Sequence, residues 1–365
     1  MLIGLLGLND YITINENAIL ESVFALTVTA ALFRRRFSKD RLLITSAGFA
    51  YLVFTAIVAS ARNVYPADYL VAFKFVFYLM LLGLVPKKKL LSASDFVLLY
   101  RLSLFAFALR YLVERFALGI DRPTLLVENN FELIFLLLLF YAKYLITSRA
   151  SLFDFLLLLF IFGVSGSRSS IVSLGFVFGF CIQWRSLRAR DIALVFSLGI
   201  IGLVALVVFN NRGGGADIES IDRVKFFAEF MRSTSDWSFI DFVFGAPVLT
   251  PLSPASCAAL SFYQKLFSFS GDGSCYSVIL HSFVLRVVYD HGLLGLVTAL
   301  AAVWVLLRDL PVRCVICVLG VILLTGLSVS SLNNIYVTLG LLMLMSVSVA
   351  TASASIPLRS LHVWR

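Results

Sequence analysis

Charge is scarce in this chain. Asp, Glu, Lys and Arg make up 14% of its 365 residues, well below the share with which soluble domains cover their surfaces. A water-soluble globule is therefore excluded, and a 60% hydrophobic content with a mean hydropathy of +0.97 indicates a polytopic membrane protein. The ~10-residue alternating segments of a closed β-barrel are also missing, which leaves helices as the spanning element. No D-x-D triplet occurs, and its absence favours a site that works without a divalent cation. Low-complexity tracts and a nameable internal repeat are lacking, so the sequence reads as one all-α bundle.

What is present is a succession of apolar runs. Spanning about 30 Å of hydrocarbon takes roughly 20 helical residues. About eleven stretches qualify: 17–33, 42–61, 69–85, 93–117, 131–147, 152–164, 169–184, 191–209, 277–307, 314–331 and 335–353. Positive residues mark the cytoplasmic connections. One alternate set holds Arg34, Arg35, Arg36, Lys39, Arg41, Lys87, Lys88, Lys89, Arg149, Arg185, Arg188, Arg190, Arg308 and Arg313. The other holds little beyond Arg62, Arg122 and Arg168, and so faces outward with the N-terminus. The formal charge of +9 is thus a topological label and no sign of a nucleic-acid partner. Residues 1–16, with Asn9, Asp10, Asn15 and Glu16, lack the basic start and small-residue cleavage site of a signal peptide.

One long polar excursion interrupts this pattern, from about 210 to 276. A chain whose other connections are a few residues long has no packing reason for such an insert, which is expected to be functional. Gly213 to Gly215 give a flexible exit from the eighth span. Asp217 to Trp237 predicts an amphipathic helix whose apolar face holds Ile218, Ile221, Val224, Phe227, Ala228 and Met231. Pro247, Pro251 and Pro254 break the stretch after that helix, and Phe262, Leu266, Phe267 and Phe269 give it an apolar side, so the insert is expected to lie on the bundle. Cys257 and Cys275 both fall in it, where an oxidising compartment permits a disulfide worth about 3 kcal/mol in chain entropy; the sequence leaves that pairing open. Cys314 and Cys317 share an apolar helix without further ligands and read as packing.

The candidate residues cluster on the outer side. Arg168, in Gly166-Ser167-Arg168-Ser169-Ser170, lies between two apolar segments. A guanidinium there either snorkels or holds an anion in a wet cavity. Arg223 opens the insert's helix and taken alone is a solvated charge. His281 stands where the insert returns to the membrane, followed by Asp290 and His291. An imidazole with a pKa near 6.5 is the natural proton acceptor at neutral pH, although a lone interfacial His is more often structural. In the fourth span Arg110 and Glu114 are spaced to pair on one helix face; Arg115 either adds to a phosphate field or snorkels, and Lys74 and Lys143 are expected to snorkel. Trp237 and Phe262 suit either stacking on sugar faces or filling the insert's own apolar side.

His281-Ser282-Phe283-Val284-Leu285 followed by Asp290-His291-Gly292-Leu293-Leu294-Gly295-Leu296 resembles the H-N-x-x-L and E-x-G-x-x-G-L of bacterial O-antigen ligases and Wzy-type O-antigen polymerases. Gly166-Ser167-Arg168 is similar to the G-S-R segment of that superfamily, and Arg223 stands where its loop begins a helix with an Arg. Arg122 to Asn130 is similar to the outer-face R…E-P-N segment of polysaccharide polymerases. This chain departs from those patterns in having Ser282 for Asn, Asp290 for Glu and no Pro between Glu128 and Asn129.

The resemblance implies a GT-C-type glycosyltransferase of the bacterial inner membrane, with its large loop in the periplasm. The donor it implies is a polyprenyl diphosphate-linked oligosaccharide. Arg168 and Arg223 would then hold the diphosphate, always-protonated guanidiniums that need no metal and no cofactor. His281 would take the acceptor's proton with Asp290 as orienting partner. Arg122, Glu128 and Arg286 are further substrate-binding candidates. The first expectation is a polymerase of lipid-linked repeats, working with a chain-length regulator. A ligase that moves the finished glycan to lipid A-core uses the same groups. A flippase would instead show repeated halves around a midplane site, and a scaffold would need none of these side chains.

Overall fold

Runs of Leu, Phe, Val and Ala with few helix breakers form helices here, and the breakers fall at their ends. The computed structural model describes residues 16–32, 38–86, 91–126, 128–147, 151–182 and 222–353, with scattered positions between 192 and 203. Most of the predicted eighth span, the segment 210–221 and the N-terminal residues 1–15 lie outside the described residues, as do most of the basic connections that mark orientation. Among the described residues there are helices and no strands.

In chain order the helices are α1 (Glu16–Leu32), α2 (Lys39–Ala61), α3 (Pro66–Ala72), α4 (Lys74–Gly83), α5 (Ala93–Leu112, continued by a π turn to Ala117), α6 (Asn129–Thr147), α7 (Leu152–Val164), α8 (Arg168–Cys181), α9 (Asp222–Ser233), α10 (Phe239–Phe244), α11 (Pro254–Ala259), α12 (Phe283–Leu307), α13 (Val312–Gly326) and α14 (Ile335–Ser353). Among the described residues four helices are long and apolar enough to cross a membrane: α2, α5 with its π turn, α6 and α12. The pair α3 and α4, bent by 60°, makes a fifth if it counts as one broken span. Of the other apolar helices, α1, α7, α8 and α13 run 17, 13, 14 and 15 residues, short of the roughly 20 that a span takes. The 13 residues of α7, for example, rise only about 20 Å.

α6 is the centre of the bundle. Leu133, Leu136, Leu137, Leu139 and Phe140 have no exposed surface, and the helix packs most extensively on α14. Gly340 permits that closeness, since a methyl there would collide with Leu138. Within the bundle, Lys143 and Asp154 form a buried ion pair at 2.6 Å between α6 and α7. Lys143 therefore does not snorkel as expected: Asp154, which also caps α7 through a box with Ser151, offers a counter-charge where lipid offers none. Lys74 likewise meets Glu21 of α1 at 2.8 Å. Arg110 and Glu114 pair as their spacing predicted. Arg115 reaches Asp121 at 2.7 Å.

At one end of the bundle, Arg41 donates to the carbonyls of Val85 and Leu306 and so ties three helix ends together. The opposite end carries the segment from Asp222 to Leu280, which packs on α12 through a small core of its own. Phe226, Phe230, Leu252, Leu260, Ile279 and Leu280 meet Val288 and Tyr289 there. Cys257 and Cys275 are joined by a disulfide inside this core.

Two sequence readings change in this segment. α9 ends at Ser233, and it buries Phe226, Glu229 and Phe230 while leaving Val224, Phe227 and Met231 exposed, the reverse of the predicted face. Both sides of the helix carry aromatic or aliphatic residues, and tertiary packing, not periodicity, chose between them. The predicted span from 277 starts instead as a 3-10 turn, Ser277–Leu280, and its α-helix begins at Phe283. That helix is then broken at Gly292, which adopts φ +67.

Candidate functional site

A cavity of about 430 Å³ opens at the end of the bundle that carries the 222–280 segment. Its wall is drawn from connections distant in sequence. Arg122 and Glu128 come from the link before α6, Asn130 from the first turn of α6, and Gly166, Ser167 and Arg168 from the turn between α7 and α8. Asp222, Arg223 and Phe226 of α9, Tyr263, His281, and Ser328 with Val329 after α13 complete it.

Each connection is fixed by local chemistry. Gly166 takes φ +64, which a side chain would strain, and so allows the reversal from α7 into α8. Ser167 then caps α8: its hydroxyl accepts from the Ser170 amide at 3.4 Å and bonds Asn130 Oδ1 at 2.6 Å, joining this turn to α6. Asn129 Nδ2 donates to the Ser165 carbonyl at 2.8 Å and secures the same junction. Arg168 is thus the first residue of a 14-residue helix whose start lines the cavity, where the helix dipole favours an anion. The link carrying Arg122 and Glu128 is held by two buried carboxylates. Glu132 accepts the amides of Leu125 and Leu126 at 2.7 and 2.9 Å, and Glu114 accepts that of Thr124 at 2.6 Å.

His281 closes a short turn with φ +53, a left-handed conformation that costs a non-glycine residue about 1–3 kcal/mol. The turn is braced from behind. Arg286 donates to Ser330 Oγ at 3.1 Å, Ser330 donates to the His281 carbonyl at 3.3 Å, and Phe283 N donates to the Val329 carbonyl at 3.0 Å. The imidazole lies against the rings of Tyr263 and Phe226, at centroid separations of 5.1 and 5.6 Å. Its Nε2 is enclosed and meets no hydrogen-bond partner among the described residues. Burial, and then the charge of Arg286, hold the imidazole down to about pKa 4 against the opposing pull of Asp222. His281 is therefore neutral, and able to accept a proton, at pH 7.

The rest of the wall is polar and of mixed sign. Tyr263 donates its hydroxyl to Asp222 at 3.1 Å, and burial followed by the Asp222 charge raises its phenol. Glu128 is raised by desolvation, with the charge of Arg122 and a hydrogen bond from Asn130 pulling it back. Three guanidiniums thus face two carboxylates, Glu128 and Asp222, and the helix N-terminus adds to the positive side. Among the described residues no group of three or more His, Cys, Asp or Glu is placed to hold a metal ion.

Five of the seven residues singled out in the sequence line this cavity: Arg122, Glu128, Arg168, Arg223 and His281. Arg286 and Asp290 do not. Arg286 is buried behind the His281 turn, where it also donates to the Val71 carbonyl at 3.3 Å. Asp290 is buried and accepts the hydroxyl of Ser277, so its partner is the turn before His281 and not the imidazole. The pairing of Asp290 with His281 was implied by the resemblance alone; the helix that carries Asp290 begins only at Phe283, after the His281 turn. The sequence reading missed Asp222, Phe226, Tyr263 and Ser328, which resemble ordinary loop residues until the insert folds back. Trp237 stacks on Tyr289 at 5.4 Å outside the cavity.

No protein-family model matches this sequence, and no curated protein matches it at a significant level.

Proposed function

We propose that this protein is a multi-pass membrane glycosyltransferase that polymerises polyprenyl diphosphate-linked oligosaccharides into a surface polysaccharide. The observation that carries the reading is the meeting of Arg122, Arg168, Arg223 and His281 around one cavity of about 430 Å³. That volume falls in the range of small-molecule sites. Its chemistry is paired: a set of permanent cations for a departing anion, and beside it an imidazole that is neutral at pH 7.

In the proposed reaction an acceptor sugar hydroxyl attacks the anomeric carbon of the donor glycan. Its proton passes to His281 as the new glycosidic bond forms. The bond between the anomeric carbon and the diphosphate oxygen breaks, and the polyprenyl diphosphate leaves with the electron pair. Arg168, Arg223 and the amides at the start of α8 stabilise that growing negative charge. The left-handed turn, braced by Arg286 and Ser330, keeps the imidazole aimed, so these two are positioning residues. Asp290 supports the same turn through Ser277.

The full reading has eleven spans in the bacterial inner membrane and the 210–276 insert in the periplasm. The disulfide between Cys257 and Cys275 supports it, because such bonds persist in oxidising compartments. So does the sidedness of charge: Arg41, Arg308 and Arg313 gather at the end of the bundle opposite the cavity, as retained positive residues would. Polymerase is preferred to ligase because Arg122, Glu128 and Asn130, from the segment similar to that of polysaccharide polymerases, line the cavity.

The test is a reconstituted reaction of the purified protein with a lipid-linked repeat unit, resolved by gel. A ladder of chain lengths is expected. A single transfer to added lipid A-core would replace polymerase by ligase. No transfer by a folded sample would overturn the enzymatic reading in favour of transport or scaffolding.

A further inference from the structure

The α10 segment lies outside the proposed chemistry, and its surface is unusually apolar. Phe239, Ile240 and Phe244 are 81%, 66% and 61% exposed, on a helix of only six residues. Water does not explain three such side chains on one short element.

The location of the segment does explain them. α10 ends at Gly245, φ +82, and this glycine lies on the break in α12: a methyl added to it would stand 2.6 Å from the His291 amide nitrogen. From the other side, a methyl on Gly292 would collide with the Val243 carbonyl. The two glycines thus let backbone touch backbone. His291 shares a 2.6 Å hydrogen bond with Tyr51 of α2. Tyr51 precedes Ala61, the outer end of α2, by ten residues, or about 15 Å of helix, half the thickness of a hydrocarbon core. The contact at Gly245 therefore sits well below the outer end of an apolar span.

Its surroundings are of the same kind. Phe54 and Ile57 on the outer half of α2 are exposed, as are Leu293, Leu294 and Val297 of α12 just past the break. α10 packs on α12 at the break that these exposed α12 residues follow. Backbone polarity is met internally, as a bilayer demands: Gly245 N donates to the Asp241 carbonyl and Ala246 N to that of Tyr289, each at 2.7 Å. The helix carries one charge, Asp241, in its first turn, satisfied by the amide and hydroxyl of Ser238 at 2.7 Å. Trp237, an interfacial residue type, adjoins that end.

We propose that residues 238–246 form a re-entrant wedge in the outer leaflet, with Phe239, Ile240 and Phe244 against phospholipid acyl chains and the Gly245–Gly292 contact as its inner stop. The wedge anchors the segment that supplies Asp222, Arg223 and Tyr263 to the cavity. It rests on reading the long apolar helices as membrane spans.

Nitroxide labels at Phe239→Cys, Ile240→Cys and Phe244→Cys test it. The background is the full chain with Cys181, Cys314 and Cys317 replaced by Ala, in phosphatidylcholine and phosphatidylglycerol vesicles. Collision with oxygen and with a water-soluble nickel chelate is compared with Leu294→Cys on the span and Asp272→Cys in an exposed turn. All three labels are expected to favour oxygen as Leu294→Cys does, several-fold above Asp272→Cys. Nickel access equal to that of Asp272→Cys would overturn the wedge and leave the spans intact. Exclusion of both reagents would overturn it too, because a second copy or another protein would then cover the face. If Leu294→Cys itself meets nickel freely, the wedge fails together with the membrane reading.

Discussion

In the proposed reaction His281 is the residue whose protonation state matters most. Burial and Arg286 place its titration near pH 4 in the free protein, so kcat/KM is expected to lose activity on the acid side with a midpoint near 4 and not at the ordinary 6.5. A bound diphosphate brings negative charge into the same cavity and favours the imidazolium, so the acid limb of kcat is expected at higher pH than that of kcat/KM. Initial rates over pH 3.5–8 with saturating and limiting donor measure both limbs. A shared midpoint near 6.5 would contradict the enclosed imidazole. Linkage has the same sign: with the folded value depressed, stability is whole above pH 6.5 and declines as pH falls toward 4. Arg168 and His281 were legible in the sequence because polar groups are rare in it and these sit beside apolar runs at one face, whereas Arg223 stood out only through the resemblance. Tyr263 and Asp222 were not, because a Tyr and an Asp in a polar insert carry no such contrast.

Elements were legible wherever apolar runs met breakers. The limits of α2, α6 and α7 fall within a few residues of the predicted spans, with Ser151 and its box marking the start of α7. Sequence could not give the break at Gly292, because the cause lies 47 positions earlier in Gly245, and only the folded chain brings the two backbones together. Lys143 was misjudged for a related reason: its counter-charge belongs to the next helix. Removing Lys143 alone leaves Asp154 buried without a counter-ion, and Lys143→Ala is expected to cost about 3–5 kcal/mol. Replacing both, as Lys143→Met with Asp154→Leu, is expected to recover most of that loss. Thermal unfolding in detergent micelles compares the two variants. Equal melting temperatures for the parent protein and Lys143→Ala would show that the pair is solvated and not buried.

At the scale of the whole molecule, the bundle gathers four connections and helix α9 around one cavity and leaves the opposite end to a clasp built on Arg41. The polar insert is no free appendage: its disulfide-bearing core packs on α12 and holds α9 over the cavity. Composition alone predicted an all-helical chain with a polar insert at one face. Hydropathy counts apolar runs and takes no account of where a helix stops, so eleven runs stand beside four or five helices long enough to cross a bilayer among the described residues.

In the proposed enzyme, guanidiniums from separate parts of the chain grip one diphosphate. Calorimetric titration of the detergent-solubilised protein with farnesyl diphosphate tests it directly, in the parent chain and in Arg168→Ala, Arg223→Ala and Arg232→Ala. A charge-assisted hydrogen bond contributes about 1.5–3 kcal/mol, so each cavity variant is expected to weaken binding by about tenfold or more. Arg232, which pairs with Glu229 outside the cavity, is expected to leave binding unchanged. Equal affinity in all four proteins would contradict the account.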